Sequence, residues 1–499
     1  MTKEKILIIF ILFASLLNAQ IFVAPDGDDN NVGNINFPLK TITKAMTLAL
    51  PDTVIYLRGG IYNYSITIKT TKSGLQDKPI KLWAYQNETP IIDFVEQPVS
   101  TSSRGLYISK DYWHIKGIEI RSSKDNGIYI TGSNNTVEKC IIHDCCDTGL
   151  QISGGGSNNY IINCDSYKNY DSLTLGENAD GFAPKLDIGP GNTFIGCRAW
   201  ANSDDGWDMY EADDTVVLKN CSAFRNGYNT WGILNFQGDG NGFKLGGNYV
   251  AGAHVITNCI AFDNKAKGFD QNNNTAGITV YNNTAFRNEA KNYSFPFAPD
   301  SGNHILKNNI SYLGDNVIVG SSITEANSWI GFTVTEADFL SIDTSNITTK
   351  RNEDGTIPET EFLRLRQGSP LIDAGVPVGL PYNDSAPDLG AYETDGVVSV
   401  GNNDIISNSF KLLQSYPNPF NPNTQIGFYV HSTGNVILAI FDILGKKVAE
   451  LINNVYSKGY YEINWVAKDD NGNYLSSGIY FAKLEFENKF KTIKLVLQK

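Results

Sequence analysis

The stretch TFIGCRAWAN, residues 193–202, recurs along the middle of the chain and decides the fold. Five further segments align with it without gaps: TVEKCIIHD (136–144), YIINCDSYKN (160–169), VLKNCSAFRN (217–226), VITNCIAFDN (255–264) and TVYNNTAFRN (279–288). The shared position advances by 24, 33, 24, 38 and 24 residues. Such a period, with short strands and Asn or Gly corners, is typical of one coil of a parallel β-helix. A β-propeller needs about 40 residues per blade and fits less well. We therefore predict an all-β protein built on a right-handed parallel β-helix.

Cysteine occupies the shared position in five of the six segments. These residues are Cys140, Cys164, Cys197, Cys221 and Cys259, with Asn283 in the sixth segment. The seven cysteines of the chain show no CxxC or Cys/His zinc spacing. We interpret the repeated cysteine as a small apolar residue stacked inside the solenoid. A disulfide framework is the alternative that the spacing leaves open.

The ends of the chain differ from its middle in composition. Lys3 and Lys5 precede an apolar run at 6–17, which predicts a signal peptide over residues 1–20. A membrane anchor is the alternative, but the run is short for a span. We assign the β-helix to residues 21–394, with a capping helix at 39–50, a linker to 395–409 and a small Ig-like β-sandwich to 410–499.

The formal net charge of −13 argues against nucleic acid as a partner. The same charge would repel any acidic polymer, unless the binding site is locally basic or a bound cation bridges the two.

A glycine opens a second strand signal in each coil, and the residues after it define two faces. The residue after this glycine is apolar in all coils: Ile128, Leu150, Phe182, Trp207, Phe243 and Phe269. Side chains alternate along a strand, so this position faces inward and the next one faces outward. The outward column reads Tyr129, Gln151, Ala183, Asp208, Lys244 and Asp270.

Four acids fall at the same corner of two consecutive coils. They are Asp180, Asp204, Asp205 and Asp208. Carboxylates this close do not all stay ionised without a counter-charge, and oxygen ligands from several chain segments suit Ca²⁺. We predict a calcium site assembled across coils, with Lys244 alongside Asp208 on the next coil. A turn aspartate or a surface lysine is the alternative for each residue taken alone.

At these residues the sequence resembles polysaccharide lyase family 9, the pectate lyases of the Pel9A type. The resemblance spans residues 21–394 and is carried by ENADGFAPKLDIGPGNTFIGCRAWANSDDGWDMYEAD (177–213), GNGFKLGG (240–247) and the closing segment at 362–393. It implies that the four aspartates are the calcium ligands and that Lys244 is the Brønsted base. The implied reaction is β-elimination in a galacturonate-containing polysaccharide, which leaves a 4,5-unsaturated product. The substrate is then pectate or rhamnogalacturonan I.

Basic groups are also needed to hold the other carboxylates of such a substrate. The candidates near the site in sequence are Lys185, Arg198 and Arg225. Two other classes of function stay open at this point. An inverting hydrolase would use Asp204 and Asp205 as its paired carboxylates, and a non-catalytic solenoid would only bind the polysaccharide.

The segments SYPNPFNPNTQIGFYV (415–430) and GIYFAKLEFENKFKTIKLVLQK (478–499) resemble the C-terminal sorting domain of type IX secretion. This resemblance implies export across an outer membrane by the type IX machinery, to an extracellular or cell-surface location. An ordinary Ig-like accessory domain is the alternative. We expect the secreted protein to be a monomer.

Overall fold

The computed structural model describes residues 20–394 and, in the C-terminal region, residues 410–498 without 413–414, 416–417, 419, 431, 458 and 488. The predicted linker and the predicted signal peptide, apart from Gln20, lie outside the described residues. Among the described residues, no helix has both the length and the apolar character to cross a membrane. The α-helix Ile42–Leu48 is shorter than predicted, because the Thr41 hydroxyl caps its start by accepting the Lys44 N–H and Ala49 returns to an extended conformation.

Three parallel sheets, each with one strand per coil, form the right-handed β-helix and confirm the predicted fold. Sheet 1 has twelve strands: Gln20–Val23, Val54–Leu57, Ile80–Ala84, Trp113–Lys116, Thr136–Glu138, Tyr160–Ile162, Asn192–Ile195, Val216–Lys219, Val255–Thr257, Thr279–Tyr281, Ile305–Lys307 and Ile323–Glu325. Sheet 2 has ten: Gly60–Asn63, Pro90–Asp93, Glu119–Arg121, Ile141–His143, Asp165–Tyr167, Arg198–Trp200, Ser222–Phe224, Ile260–Phe262, Thr284–Phe286 and Ile310–Tyr312. Sheet 3 also has ten: Ile68–Lys69, Leu106–Ile108, Ile128–Ile130, Leu150–Ile152, Phe182–Pro184, Trp207–Asp208, Phe243–Lys244, Lys267–Asp270, Lys291–Phe295 and Asn316–Ile318.

The corner between sheets 1 and 2 explains the Asn and Gly pattern of the repeats. Its residues have φ between 53° and 62°: Lys139, Asn163, Gly196, Asn220, Asn258 and Asn282. The left-handed region is unfavourable for most L-residues, whereas Gly adopts it freely and Asn tolerates it. The sequence pattern therefore follows from the sharp turn that each coil must make.

The interior of the solenoid is filled by side chains stacked from coil to coil. On sheet 3 the rings of Phe182, Trp207, Phe243, Phe269 and Tyr293 follow one another with centroid distances of 4.8, 4.9, 4.9 and 5.0 Å. All are buried, which confirms the predicted inward position.

The repeated cysteines belong to the same interior. Cys140, Cys164, Cys197, Cys221 and Cys259 have no exposed surface, and all seven cysteines, which lie within the described residues, are free thiols. The interpretation as stacked small apolar residues is confirmed, and the disulfide alternative is wrong.

A ladder of buried asparagines joins the coils at the corner between sheets 2 and 3. Its members are Asn169, Asn202, Asn226, Asn264 and Asn288. In each step the backbone N–H and the side-chain amide donate to the Oδ1 of the next asparagine, at 3.2–3.3 and 2.9–3.0 Å. The ladder thus provides hydrogen-bond acceptors for backbone N–H groups at the corner, which take no part in the hydrogen bonding of either sheet.

Asn264→Ala should lower the free energy of unfolding by about 3 kcal/mol, because it removes the acceptor of two buried Asn226 donors. Denaturant unfolding of the variant and of Asn87→Ala, which changes an exposed asparagine, measures the difference. Equal midpoints for the two variants would contradict the role of the ladder.

The chain divides into two compact units. The first comprises residues 1–306, 311–323 and 345–359, and the second comprises 307–310, 324–344 and 360–499. The second unit contains the 3₁₀ helix Glu336–Asp338 and the C-terminal strands. The predicted boundaries at 394 and 410 stay predictions.

The C-terminal strands form two antiparallel sheets, as predicted for a small β-sandwich. One sheet contains Lys411–Leu412, Asn423–Val430 and Gly459–Val466, and the other contains Lys447–Tyr456, Gly434–Asp442, Gly478–Phe486 and Lys489–Leu497. Both contribute to one buried core, which includes Phe428, Trp465, Leu438 and Leu484.

Candidate active site

The outward column of sheet 3 brings the predicted lysine to the predicted acids. Asp208 is the register partner of Lys244, and Lys244 is in turn the partner of Asp270. Asp204 and Asp205 lie in the turn before the strand Trp207–Asp208, and Asp180 precedes the strand Phe182–Pro184 one coil earlier. Stacking of consecutive coils therefore places residues that are 64 positions apart in sequence on one small surface.

Three of the four predicted ligands form a compact acid cluster. Asp180, Asp204 and Asp205 each offer a carboxylate oxygen, and these oxygens lie within 4.8 Å of one another. Exposure of the three residues is between 0% and 3%, so little water reaches them. Asp208 is equally buried but lies on the side of the cluster that faces the two lysines.

Backbone groups orient two of these carboxylates. The N–H groups of Asn178 and Asp239 donate to Asp204 at 3.0 and 2.6 Å, and Asn241 donates its backbone and side-chain N–H to Asp205 Oδ1 at 2.6 and 2.9 Å. Asp205 Oδ2 is buried and accepts no hydrogen bond from any described residue. One carboxylate oxygen of the cluster therefore has no hydrogen-bond donor, although Lys244 Nζ lies 3.3 Å from it.

Lys185 is the internal counter-ion of the site. Its ammonium donates to Asp180 Oδ2 at 2.8 Å and to Asp208 Oδ2 at 3.1 Å, and the residue is buried. Sequence reasoning put this lysine near the site but treated it as a substrate-binding group. The structure pairs it with Asp180 and Asp208, so its charge is matched by carboxylates of the protein.

The Lys244 ammonium lies at the mouth of the site. Its Nζ is 3.3 Å from Asp205 Oδ2, 3.7 Å from Asp208 Oδ1 and 3.4 Å from Asp239 Oδ2. The side chain is 12% exposed, whereas that of Asp239 is 59% exposed. Asp239 was not singled out from the sequence, since it lies in an inserted loop without a repeat position.

The acids titrate abnormally, and burial is the largest cause. Burial and Asp208 raise the pKa of Asp180 to about 6, and burial and Asp180 raise the pKa of Asp204 to about 8. The pKa of Asp205 is raised well above its ordinary value by burial and by Asp204. Burial also acts on Asp208, but Lys185 and Lys244 outweigh it and lower the pKa of that carboxyl.

Lys244 responds to the same field. Burial by itself lowers the pKa of its ammonium, but Asp205 and Asp208 reverse this effect and raise the pKa above its ordinary value. A lysine in this state is a proton donor and not a base. It becomes a base only where the negative charge of the acids is neutralised.

The residues fit a divalent cation. The four predicted ligands with Lys185 and Lys244 carry a formal charge of minus two, which matches the charge of one Ca²⁺, and the exposed Asp239 adds a further negative charge at Lys244. Asp205 Oδ2 accepts no hydrogen bond from the described residues, and three carboxylates pack within 4.8 Å, which matches a ligand set of hard oxygen atoms. Without a cation, the same groups repel one another in a buried setting.

The raised pKa values have a consequence for stability in the absence of calcium. Asp180 and Asp204 bind protons more tightly in the folded chain than in the unfolded chain, whose pKa is near 3.8. The stability of the calcium-free protein should therefore fall as pH rises from about 4 to 8. Thermal unfolding across this range measures the slope, and Asp204→Asn should flatten it. If Asp204→Asn left the slope unchanged, the raised pKa of Asp204 would not be a cause of the pH dependence.

The other two predicted substrate-binding residues lie outside sheet 3. Arg198 is on sheet 2, where its buried guanidinium pairs with Asp165 at 2.7 Å and donates to the Ile347 and Thr349 carbonyls. Arg225 is at the corner after the sheet 2 strand Ser222–Phe224, with φ of 55°. The hypothesis that these two arginines hold substrate has no support from their position.

Comparisons with known proteins identify the family of the β-helix. The family model described as the Pel9A-like, right handed beta helix region matches residues 21–309. Pectate lyase L of Dickeya chrysanthemi is 45% identical over 384 residues, which cover 74% of this chain and 90% of that protein. The chain belongs to the Pel9A-like family. It is a polysaccharide lyase, and the hydrolase and non-catalytic alternatives are set aside.

Two solved structures of known lyases resemble this Pel9A-like chain. The crystal structure of pectate lyase Pel9A is 43% identical with a TM-score of 0.73, over 76% of this chain and 96% of that one. A rhamnogalacturonan lyase is 28% identical with a TM-score of 0.64, over 70% of this chain and 97% of that one. At the other end, a secretion system C-terminal sorting domain matches residues 414–498, in agreement with the resemblance noted from the sequence.

Proposed function

We propose that this Pel9A-like protein cleaves polygalacturonate, the backbone of pectate, by calcium-dependent β-elimination, with Lys244 as the base. The observation that carries the proposal is the position of the Lys244 ammonium, 3.3 and 3.7 Å from two carboxylates of a buried acid site.

The acids Asp180, Asp204, Asp205 and Asp208 would hold Ca²⁺. Bound there, the cation would neutralise the uronate carboxylate, stabilise the negative charge that develops when C5 loses its proton, and lower the pKa of the neighbouring ammonium. Asn178 and Asn241 keep the ligand carboxylates in place through their N–H groups. Lys185 donates hydrogen bonds to both Asp180 and Asp208 and so fixes the distance between them.

Lys244, as the neutral amine, takes the proton from C5 of the galacturonate, and the glycosidic oxygen leaves from C4. The product carries a 4,5-unsaturated uronate at its new end. An unperturbed lysine has a pKa of about 10.4; in the calcium-free protein the acids around Lys244 raise it further, and the bound cation would offset that rise. We therefore expect the enzyme to prefer alkaline pH, where a larger fraction of the amine is neutral.

Rhamnogalacturonan I is the second candidate substrate. The observation in its favour is the likeness to a rhamnogalacturonan lyase over 70% of the chain. The same chemistry at C5 serves both polymers, since each contains galacturonate.

Digestion of a panel of polymers tests the proposal. Polygalacturonate, methylated pectin, rhamnogalacturonan I and alginate are each incubated with calcium or with a chelator, and the ultraviolet absorbance of unsaturated uronate is followed. We expect absorbance to rise with polygalacturonate and calcium. New reducing ends without that absorbance would contradict elimination, and a signal with rhamnogalacturonan I alone would move the assignment to the second candidate.

We also propose that the sorting domain directs the lyase through the type IX secretion machinery to an extracellular or cell-surface location. The match over residues 414–498 supports this. A polymer too large to cross a membrane requires its lyase outside the cell, so the location and the proposed substrate agree.

A further inference from the structure

The outward column of sheet 3 extends well beyond the acid site. From Asp208 toward the N-terminus it continues strand by strand through Ala183, Gln151, Tyr129, Tyr107 and Lys69. Neighbouring strands are about 4.8 Å apart, so Tyr129 lies about 14 Å from Asp208 along the solenoid and Tyr107 about 19 Å. One face of the protein therefore carries the acid site and a second group of polar and aromatic side chains.

We call this second group, formed by Lys69, Arg104, Tyr107 and Tyr129, the arginine platform. The Arg104 guanidinium lies 3.7 Å from the centroid of the Tyr129 ring, and the Lys69 ammonium lies 4.4 Å from that of Tyr107. The two rings are 5.3 Å apart at an angle of 63°. Thr131 donates to the Tyr107 hydroxyl at 3.2 Å. The platform is thus a preformed surface of two rings and two cations.

Among the described residues, Arg104 forms one long ion pair, with Asp125. Its side chain is 27% exposed, and its guanidinium donates no hydrogen bond to any described residue. Asp125 approaches only to 3.7 Å, which is too long for a hydrogen bond. The planar fork of Arg104 remains available for a carboxylate, which it can bind with two parallel hydrogen bonds.

The column between the platform and the acid site is covered by other parts of the protein. Gln151 is 7% exposed and Ala183 is fully buried, although both occupy outward positions. A polymer bound at the platform and at the acid site therefore passes over the residues that cover these two positions.

We propose that the arginine platform is a distal subsite, which binds the carboxylate of another uronate in the same polysaccharide chain that is cleaved at the acid site. Arg104 pairs with the carboxylate, Lys69 adds positive charge, and the tyrosine rings contact the apolar face of the sugar. The inference rests on the proposed function. It also accounts for the binding of an acidic polymer by a protein of net charge −13.

Arg104→Ala tests the subsite through substrate length. A charge-assisted hydrogen bond to a remote part of the substrate contributes equally to ground state and transition state. We expect the KM for polygalacturonate to rise about tenfold and kcat to change less than about twofold. A trimer of galacturonate is too short to reach the platform from the acid site, and its kinetics should not change. Arg287→Ala is the matched control, because Arg287 also stacks on a ring, that of Phe286, but lies at the corner after the sheet 2 strand Thr284–Phe286.

Binding to the inactive Lys244→Ala protein separates this inference from the proposed function. Calorimetry should show that a long oligogalacturonate binds about tenfold more weakly to the double variant Lys244→Ala/Arg104→Ala than to Lys244→Ala. This measurement does not depend on whether the protein is a lyase. If Arg104→Ala does not fold, Arg104→Gln replaces it, because glutamine keeps the aliphatic part of the side chain and removes the charge. An unchanged affinity for the long oligomer, or an equal loss for the trimer, would overturn the subsite.

Discussion

Lys244→Ala should lower the turnover of polygalacturonate about 10³-fold while the protein stays folded and binds calcium at least as tightly as before. The base is lost, but the carboxylates within 3.3–3.7 Å of it are retained, and removal of a cation next to them favours a bound metal. The release of unsaturated uronate, followed by ultraviolet absorbance at saturating calcium, measures the loss.

Two further variants distinguish a proton acceptor from a merely structural lysine. Lys244→Arg should be as inactive as the alanine variant, because a guanidinium does not lose its proton at working pH. A small primary amine added to Lys244→Ala should restore part of the rate, since it can occupy the vacated position as a base.

Lys267→Ala is the matched control. Lys267 lies on the next coil of the same sheet and pairs with Asp270 at 2.8 Å, and its loss should change kcat less than about twofold. Substantial activity in Lys244→Arg would contradict the role of Lys244.

Asp205→Asn should weaken calcium binding about 100-fold and make activity depend on calcium concentrations that saturate the wild type. Asp205 is fully buried, and its Oδ2 accepts no hydrogen bond from the described residues. An amide there keeps the size of the side chain but removes one negative charge from the ligand set. Calorimetric titration with calcium measures the change directly, and a chelator should abolish the activity of the wild type.

The same substitution should stabilise the calcium-free protein. The pKa of Asp205 is raised by burial and by Asp204, so its ionised form is unfavourable in the folded chain. Thermal unfolding should therefore show a higher midpoint than the wild type without calcium and a smaller increase on adding calcium. Asp239→Asn is the control, because Asp239 also contacts Lys244 but its side chain is 59% exposed. If Asp205→Asn had the calcium affinity and the unfolding midpoints of the wild type, Asp205 would not be a calcium ligand.

Prediction of the fold from the sequence succeeded because a β-helix uses each coil in the same way. The inward position of sheet 3, the corner asparagines and the stacked cysteines all recur with the period of the coil, and each recurrence has a local physical cause. The helix at 42–48 was found with boundaries that were too wide, since Thr41 and Ala49 end it through local hydrogen bonding and backbone conformation.

Prediction of the site was uneven, and the cations show why. Lys244 was recognised because it occupies a repeat position beside Asp208. Lys185, Arg198 and Arg225 were chosen because they are near the site in sequence. In the structure Lys185 pairs with two of the acids, and the two arginines lie outside sheet 3. Arg104 was missed because it precedes its glycine, Gly105, by one residue in a coil that lies 140 positions before Lys244. No signal in the outward column marked its side chain.

The amino-acid sequence alone determined the β-helix, the family, the acids and the lysine next to them, because a periodic solenoid converts spacing along the chain into position on a face. Only the tertiary structure decided how the charges are paired. Which ammonium meets which carboxylate depends on side-chain reach and burial across coils, and inserted loops such as the one that carries Asp239 obey no period. The same limit applies to Arg104, since its ring contact with Tyr129 arises between two coils and leaves no mark on either one.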